Sequence, residues 1–475
     1  MSMKTRRIRT TGVFAIFLAL LFTISTCDSH EIVGDPDSHT VNPELPDDVI
    51  LEPVFSITNL REKYGFIVAW DVNDSGHIVG ASSYWNNDTK EMINMGSIFA
   101  RSVNNNGQVA GSNLIWDINS GAVTLGTLEG NIISKYENDP DYAGSWSRTT
   151  ANDVNDDGVV VGEVYHEVEF GPYSYEEDGE EYDYYFSDYE FQAFIWDENR
   201  GMRTLTNPPL NGDEWKSYAA GINNNGWVAG VDFNISNRGF IWDDIDGVRS
   251  LGSFSGFRNY RPVAINNNGQ VAGTALVLQD NTDVSLMTKR EGAAKPGTGD
   301  IDKLLRLTKA KGVYDFGHVV EMINGSTFQN DAFPWEENLN DIKDNSYQSR
   351  LSTNWNQEQQ NQLSEIAQTT TYRSEPFIWD EINGMQSLGK LGGDWISAWG
   401  INDHGQVVGY GSIGGGESRA FFWDPEHGMF ELPTLDGNSL ARSINNHGQI
   451  VGYSYDSNRR FHPVMWEVTF EPKDH

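Results

Sequence analysis

The sequence is poor in cysteine and in basic residues. It has one cysteine among 475 residues, and 33 lysines and arginines against 68 aspartates and glutamates, which gives a formal net charge of −35. A single cysteine excludes zinc sites built on cysteine. The negative charge repels the phosphates of nucleic acids, so we expect no nucleic-acid partner.

Familiar catalytic and cofactor motifs are also missing. The sequence has no His-x-x-x-His or His-Glu-x-x-His pattern, no glycine-rich phosphate loop between a strand and a helix, and no Gly-x-Ser-x-Gly in a suitable context. It therefore predicts no organic cofactor and no zinc.

The longest apolar run lies near the N-terminus, from Val13 to Ile24, behind a cluster of basic residues. This pattern is typical of a secretory signal and is short for a membrane span. The single cysteine, Cys27, ends a stretch that resembles the lipobox of bacterial lipoproteins, in which the cysteine is acylated. The alternative is ordinary signal cleavage.

These features predict a signal peptide over residues 1–27 and an acidic, proline-containing tether over 28–50. The resemblance implies an exported protein: a periplasmic or cell-surface lipoprotein of a Gram-negative bacterium, or a secreted protein if Cys27 is not acylated. The membrane would then be contacted only through the lipid.

One phrase recurs seven times in the rest of the chain: Ile or Val, Asn, two polar residues, Gly, any residue, a small aliphatic residue, any residue, Gly. Asn-x-x-Gly between alternating apolar residues predicts a hairpin, in which Asn and Gly tolerate positive φ. The seven asparagines are Asn73, Asn104, Asn155, Asn223, Asn266, Asn402 and Asn445.

A second phrase follows each copy: an apolar pair ending in tryptophan, a short turn that is usually acidic, and an alternating strand. Its tryptophans are Trp85, Trp116, Trp196, Trp242, Trp379, Trp423 and Trp466. Two hairpins make four strands, and the undisturbed spacing of the repeat is 43 residues, from Asn223 to Asn266 and again from Asn402 to Asn445. This length matches a propeller blade.

The sequence therefore predicts an all-β protein, a seven-bladed β-propeller of four-stranded blades over residues 51–470. The chain stops too soon after Trp466 for a fourth strand in the last blade, and residues 54–60 have the pattern of such a strand. We expect this N-terminal strand to close the ring, which removes open sheet edges. An open solenoid is the alternative, and it would need capping repeats that we do not find.

The repeat resembles the bacterial extracellular repeat of the HAF family over nearly all of residues 54–467. The family's turn is Ile-Asn-x-x-Gly-Gln-Val-Val-Gly, and residues 401–409 match it closely. Its His-Ala-Phe tripeptide is altered here, for example to Arg419-Ala420-Phe421. The resemblance implies an exported repeat protein and no particular activity.

The predicted strand directions sort the loops onto two faces. The Asn-x-x-Gly turns and the turns after tryptophan share one face, which we call the turn face. The other, loop-rich face receives two insertions: residues 163–190, with 11 acidic residues and seven tyrosines, and residues 276–372, with a basic and a Gln/Asn-rich part. Variable loops on a rigid scaffold commonly carry function.

Two sets of residues on this face form a predicted ligand site. The blade-to-blade connections contribute Trp146, Arg148, Trp215, Lys216, Arg258, Tyr260, Arg261 and Trp395. The position three residues before each turn asparagine contributes Trp70, Arg101, Trp399 and Arg442. Aromatic faces stack on sugars and guanidinium groups bind carboxylate or sulfate, so we expect a carbohydrate or an envelope protein as ligand of a monomeric protein; packing between blades is the alternative.

One turn has the pattern of a calcium loop. Asp153, Asn155 and Asp157 place oxygens at alternate positions before Gly158, although the closing glutamate of an EF-hand is missing. Calcium is the only metal that the sequence suggests.

A polysaccharide lyase acting on a uronate-containing glycan is the alternative function. β-Elimination needs a His or Tyr base and a cation that neutralises the uronate carboxylate. The candidate bases are His166, Tyr260, His318 and Tyr410, and the candidate cations are Arg258 and Arg261.

Overall fold

The computed structural model describes residues 51–128, 139–177, 180–205, 216–232, 239–252, 258–280 and 370–472. For residues 173–177, 180–189, 258–259, 276–280 and 370–373 it describes the backbone only. The signal peptide, Cys27, the tether and most of the 276–372 insertion lie outside this part.

The described residues form seven four-stranded antiparallel sheets, which are the blades. Blade one contains β2 (Asp71–Val72), β3 (Ile78–Gly80), β4 (Ser83–Asn86) and β5 (Glu91–Asn94). Blade two contains β6 (Ala100–Val103), β7 (Val109–Gly111), β8 (Leu114–Asp117) and β9 (Gly121–Thr124). Blade three contains β10 (Tyr142–Val154), β11 (Val160–Glu177), β12 (Glu180–Asp197) and β13 (Gly201–Thr204).

Blade four contains β14 (Ser217–Ile222), β15 (Val228–Asp232), β16 (Gly239–Asp243) and β17 (Gly247–Ser250). Blade five contains β18 (Arg258–Ile265), β19 (Val271–Asp280), β20 (Thr370–Asp380) and β21 (Gly384–Ser387). Blade six contains β22 (Ile396–Ile401), β23 (Val407–Gly414), β24 (Glu417–Asp424) and β25 (Gly428–Glu431). Blade seven contains β26 (Asp436–Ile444), β27 (Gln449–Asp456), β28 (Phe461–Pro472) and β1 (Leu51–Asn59).

The prediction of a seven-bladed propeller is confirmed, including the origin of the last strand. β1 pairs with β28 along its whole length, from Leu51 opposite Pro472 to Asn59 opposite Val464. The five-residue helix α1 (Leu60–Tyr64) follows directly and buries Leu60. No helix in the described ranges is long and apolar enough to span a membrane.

The turn asparagines join neighbouring blades. Each is buried, and its side-chain Oδ1 accepts hydrogen bonds from its own turn, as Asn266 does from the N–H groups of Asn268 and Gln270 at 3.1 and 2.9 Å. Its Nδ2 donates to the backbone carbonyl of the corresponding asparagine in the next blade, at 2.9 Å from Asn266 to Asn402. All seven asparagines donate in this way, and the last of the bonds, from Asn445 to Asn73, closes the ring.

The predicted reason for asparagine in this turn was therefore incomplete. The glycine takes the positive φ, as Gly405 does at 74°, whereas no turn asparagine has a positive φ. Asparagine is needed because it carries both an acceptor for its own turn and donors for the next blade.

A second ring lies beside the first, on the residue that follows each turn asparagine. Its members are Asp74, Asn105, Asp156, Asn224, Asn267, Asp403 and Asn446, and the side-chain oxygen of each accepts the backbone N–H of the preceding member at 2.8–2.9 Å. Their amide groups also donate to the carboxylates of Asp74, Asp156 and Asp403. Hydrogen bonds of these Asn and Asp side chains thus link neighbouring blades on the turn face.

The hydrophobic core lies between adjacent blades. Phe421 of blade six packs with Ile378 of blade five, and Trp242 of blade four packs with Val161 and Ile195 of blade three. All seven repeat tryptophans lie on the third strand of their blades, as predicted, and all but the partly buried Trp423 are buried. The tryptophans of the repeat are therefore structural.

Blade three corrects the prediction that residues 163–190 form a loop insertion. β11 and β12 run on through this segment as one antiparallel hairpin, with Glu163 opposite Ala193 and Glu177 opposite Glu180. β10 is long as well and follows β11 outward on the loop-rich side. We call the projecting part of these three strands the blade-three hairpin.

Candidate functional site

In six of the seven blades, a β-bulge positions one side chain of the first strand. In blade seven, Ala441 pairs with Gly452 and Ser443 pairs with Val451, which leaves Arg442 without a partner. Register shifts leave out the corresponding residues Arg101, Asn152, Ala220, Val263 and Trp399. A bulge turns a side chain away from the regular alternation of the strand.

The glycine that ends the repeat phrase makes this bulge possible. A Cβ on Gly452 would lie 2.0 Å from the carbonyl oxygen of Leu440, and a Cβ on Gly409 would lie 2.0 Å from that of Ser397. The close approach of the two strands excludes any larger residue. This glycine was the sequence signal for the bulge, and sequence reasoning missed it.

Three residues of the predicted ligand site lie together near these bulges. The guanidinium carbon of Arg442 lies 4.2 Å from the ring centre of Trp70 and 4.4 Å from that of Trp399. Two indoles thus hold one cation between them, a favourable cation–π arrangement. We call these three residues the arginine clamp.

The clamp shows the contacts that Trp70 and Trp399, which were predicted to stack on sugars, make within the protein. Trp70 is 9% exposed, and its ring meets Phe99 edge-on at 5.3 Å. Trp399 lies 6.5 Å from the ring of Tyr410. These contacts and Arg442 take up the indole rings, so both tryptophans hold the arginine instead of presenting a free surface.

Arg442 and Arg101 are close enough to influence each other. Burial lowers the pKa of Arg442 to about 10, and the charge of Arg101 contributes to the shift. Both groups stay protonated at neutral pH. Arg101 is fixed by a 2.5 Å hydrogen bond from its Nη1 to Oδ1 of Asn152, the bulge residue of the next blade.

The blade-three hairpin contributes a second group of side chains. Arg148 lies opposite Tyr165 in the strand register, with its guanidinium carbon 5.9 Å from the tyrosine ring centre. Trp146 lies 5.5 Å from the same ring and is 49% exposed. Both residues were predicted in a blade-to-blade connection, whereas the structure places them on β10. We call Trp146, Arg148 and Tyr165 the hairpin platform.

Glu163 interacts electrostatically with Arg148 of the hairpin platform and with the bulge residue Arg101. Burial raises the pKa of this carboxyl, and the charges of Arg101 and Arg148 oppose that shift. The two arginines therefore share one acidic neighbour at the foot of the hairpin.

Other predicted site residues lie elsewhere. Tyr260 is fully buried in the core of blade five, where it meets Phe377 edge-on at 5.9 Å, because β18 begins before it. Arg261 lies within the same strand, opposite Thr274. Arg258 is the first residue of this strand, and only its backbone is described.

The remaining candidates fall between blades or outside the description. Lys216 forms a backbone bridge with Phe191, ahead of blade four. Trp395 meets Tyr410 edge-on at 5.2 Å, which places it near the clamp. Trp215 and His318 lie outside the described residues.

His166 is buried on the side of β11 opposite to the hairpin platform. Its Nδ1 lies 2.7 Å from the hydroxyl of Ser147, and burial lowers its pKa to about 4. A neutral, buried imidazole of this kind is a structural group, so the structure gives no support to His166 as a catalytic base.

Replacing His166 with Gln is expected to reduce the acid sensitivity of the fold. The pKa of His166 is lower in the folded chain than in the unfolded chain, so its contribution to stability falls as the pH drops from about 6.5 to about 4, by no more than about 3 kcal/mol. Urea unfolding at pH 7 and pH 4.5 measures this contribution. A wild-type protein and a variant that lose equal stability between the two pH values would contradict it.

The oxygens of the suggested calcium loop are engaged in hydrogen bonds. Asp153 accepts from the hydroxyl of Ser102 at 2.6 Å and from the backbone N–H of Ile222 at 2.8 Å, which links blades two, three and four. Burial raises its pKa to about 6. Asn155 belongs to the asparagine ring, and its Oδ1 accepts the N–H groups of Asp157 and Val159. No cluster of three or more acidic, histidine or cysteine residues suited to a metal occurs among the residues described.

Comparison with known proteins finds similarity among solved structures. No family model and no curated protein matches the chain. Among solved structures, the crystal structure of Porphyromonas gingivalis dipeptidyl peptidase 4 is similar, with 9% sequence identity and a TM-score of 0.36. The match covers 83% of this chain and 50% of that one, so the chain spans half the length of the peptidase.

Proposed function

We propose that this protein binds a carbohydrate on its loop-rich face, between the arginine clamp and the hairpin platform. The observation that carries the proposal is the platform: a half-exposed tryptophan supported by a tyrosine and flanked by an arginine, on a paired strand. Aromatic surface beside a few polar groups is characteristic of ligand sites. Strands hold such groups more rigidly than loops do.

The setting of Trp146 favours a sugar over a protein partner. A protein interface needs a contiguous patch with an apolar centre, on the order of 800 Å² on each side. Trp146 instead has Arg148 and Glu167 as neighbours, the latter opposite it in the register. One flat aromatic group among charged residues suits a sugar ring, which has apolar C–H faces and polar edges.

Trp146→Ala is expected to weaken glycan binding by about tenfold or more, because it removes the aromatic surface. Affinity electrophoresis through gels that contain individual polysaccharides measures the retention. Phe470→Ala is the matched control, since Phe470 is 36% exposed near the C-terminal end of β28, on the turn face. Equal retention of the Trp146 and Phe470 variants would argue against the platform.

Export and lipid attachment at Cys27 belong to the same proposal, as does membership of the HAF repeat family. The signal-like N-terminus and the repeated turn phrase support them. Leu51, the first described residue, pairs with Pro472 at the turn-face end of β28. Metabolic labelling with palmitate tests the lipid, and labelling that persists in Cys27→Ser would disprove this attachment site.

A lyase is the second candidate, and one observation favours it. Tyr410 is close enough to Arg442 for its phenol to affect the arginine pKa, so a candidate base and a candidate cation lie together. The pairing replaces the predicted one of Tyr260 with Arg258 and Arg261. Incubation with uronate polymers, followed by ultraviolet absorbance of unsaturated products, tests it; Tyr410→Phe should abolish any such activity.

A further inference from the structure

Among the described residues, Arg442 differs from several other arginines in having no counter-ion. Arg200, Arg203, Arg249 and Arg419, for example, each lie within 4 Å of an aspartate or glutamate. Within the described ranges, Arg442 makes no ion pair and no hydrogen bond, and its contacts are the two indole rings. The chain has twice as many acidic as basic residues, yet none of the described ones is placed beside this cation.

A partly buried cation without a counter-ion carries a desolvation cost. Contact with two indoles offsets part of it. The nearby Arg101 adds a second positive charge and increases the cost. An arrangement of this kind becomes favourable when a bound anion supplies the missing charge.

The clamp also determines how an anion can approach. One indole ring centre lies 4.2 Å and another 4.4 Å from the guanidinium carbon, so the N–H edge is the part of this group that can hydrogen-bond to a ligand. That edge matches two oxygens of a carboxylate or sulfate, which can accept two parallel hydrogen bonds. Tyr410 and Tyr453 are both near enough to influence the pKa of Arg442.

We propose that Arg442 recognises an anionic group of the ligand, a carboxylate or a sulfate on an acidic glycan, and that Trp70 and Trp399 position it. This inference rests on the proposed function and specifies its ligand class. Arg101 strengthens the attraction without contacting the anion directly, because Asn152 holds its guanidinium.

The test uses a polymer of hexuronic acid, a sulfated polysaccharide and a neutral polymer of similar size, each in affinity electrophoresis with the mature protein. We expect retention by one or both acidic polymers and weaker or no retention by the neutral one. Arg442→Gln should weaken acidic retention on the order of 100-fold, since it removes a desolvated charge partner. Arg442→Lys should recover only part of it, because lysine keeps the charge but loses the planar edge.

Arg419→Gln is the matched control. Arg419 is paired with Glu417 at 2.6 Å, and its loss should leave retention unchanged. Trp399→Phe serves as a positioning test: it keeps an aromatic ring and should lower affinity less than Arg442→Gln. Near-ultraviolet circular dichroism of each variant verifies its fold.

The outcomes separate the two proposals. Equal retention by neutral and acidic polymers, or acidic retention unchanged in Arg442→Gln, overturns the anion site and leaves carbohydrate binding in place. Absence of retention by every polymer overturns both. Selective acidic retention that falls in Arg442→Gln but not in Arg419→Gln supports both.

Discussion

A chain that begins at Leu60 is expected to lose the cooperative unfolding transition of the propeller and to aggregate. The missing residues 51–59 supply the outer strand of blade seven and pair with β28 over nine positions. Without them, β28 presents an open edge that can pair with other chains. Soluble yield and differential scanning calorimetry measure the effect.

Side-chain packing of β1 gives a graded version of this prediction. Phe55 lies 5.7 Å from the ring of Phe422 and 6.1 Å from that of Phe430, both in blade six, and it packs on the core cluster that contains Trp466. Phe55→Ala should cost about 3 kcal/mol, because it leaves a cavity between the last two blades.

The neighbouring residue provides the control. Val54 is 44% exposed and lies on the opposite side of β1, so Val54→Ala should change stability by less than about 0.5 kcal/mol. A shortened chain that melts like the full protein would show that blade seven is stable with three strands, and would refute the structural role of β1.

The fold could be predicted because the same sequence phrase occurs once in each blade and each copy indicates the same structure. Seven copies of one phrase gave the number of blades, and the missing strand after Trp466 matched a spare strand near residue 55. Each inference depends on local periodicity and turn chemistry, which are properties of neighbouring residues. The third-strand tryptophans followed for the same reason.

The lengths of the strands in blade three could not be predicted in this way. The segment 163–190 is so rich in acidic residues and tyrosine that its composition indicated a solvated loop. Its strands are long because β10, β11 and β12 pair with one another, and such pairing is not visible in one segment alone. Trp146 and Arg148 were consequently predicted on the loop-rich face, as observed, but in a blade-to-blade connection and not on β10.

The sequence identified which residues form the arginine clamp, but it did not show how they are arranged. Counting three residues back from each turn asparagine identified Trp70, Trp399 and Arg442. Their mutual contact depends on the bulges at Trp399 and Arg442 and on the approach of three separate parts of the ring, which a repeat phrase does not encode. Tyr260 shows the opposite outcome. It was predicted as a ligand residue because it lies in a basic segment, and the structure buries it in the core of blade five.

Asn266→Asp is expected to lower the free energy of unfolding of the propeller by about 3–5 kcal/mol. The substitution keeps the oxygen that closes the turn and removes both donors of Nδ2, which bond to Gln270 Oε1 at 2.8 Å and to the carbonyl of Asn402 at 2.9 Å. A carboxylate oxygen would then face two acceptors in a buried site, where unpaired polar groups and charges are costly.

A substitution of the adjacent residue, Asn267, tests whether the effect is specific to the buried asparagine or general to the turn face. Asn267 is exposed and bonds to Asp403 through its backbone N–H at 2.8 Å and through Nδ2 at 3.0 Å. Asn267→Ala keeps the backbone bond and removes two exposed side-chain bonds, to Asp403 and from the N–H of Asn224, so its cost should stay at about 1–2 kcal/mol. Denaturant unfolding of the two variants measures the difference.

The sign of the pH dependence adds a second criterion for the buried asparagine ring. An aspartate buried at position 266 would have a raised pKa, since burial disfavours its charged form. The variant should therefore regain stability relative to wild type as the pH falls below about 6, because protonation removes the charge and restores one donor. A loss of stability that is equal at pH 5 and pH 8 would mean that the turn alone, and not the bond between blades, accounts for the asparagine.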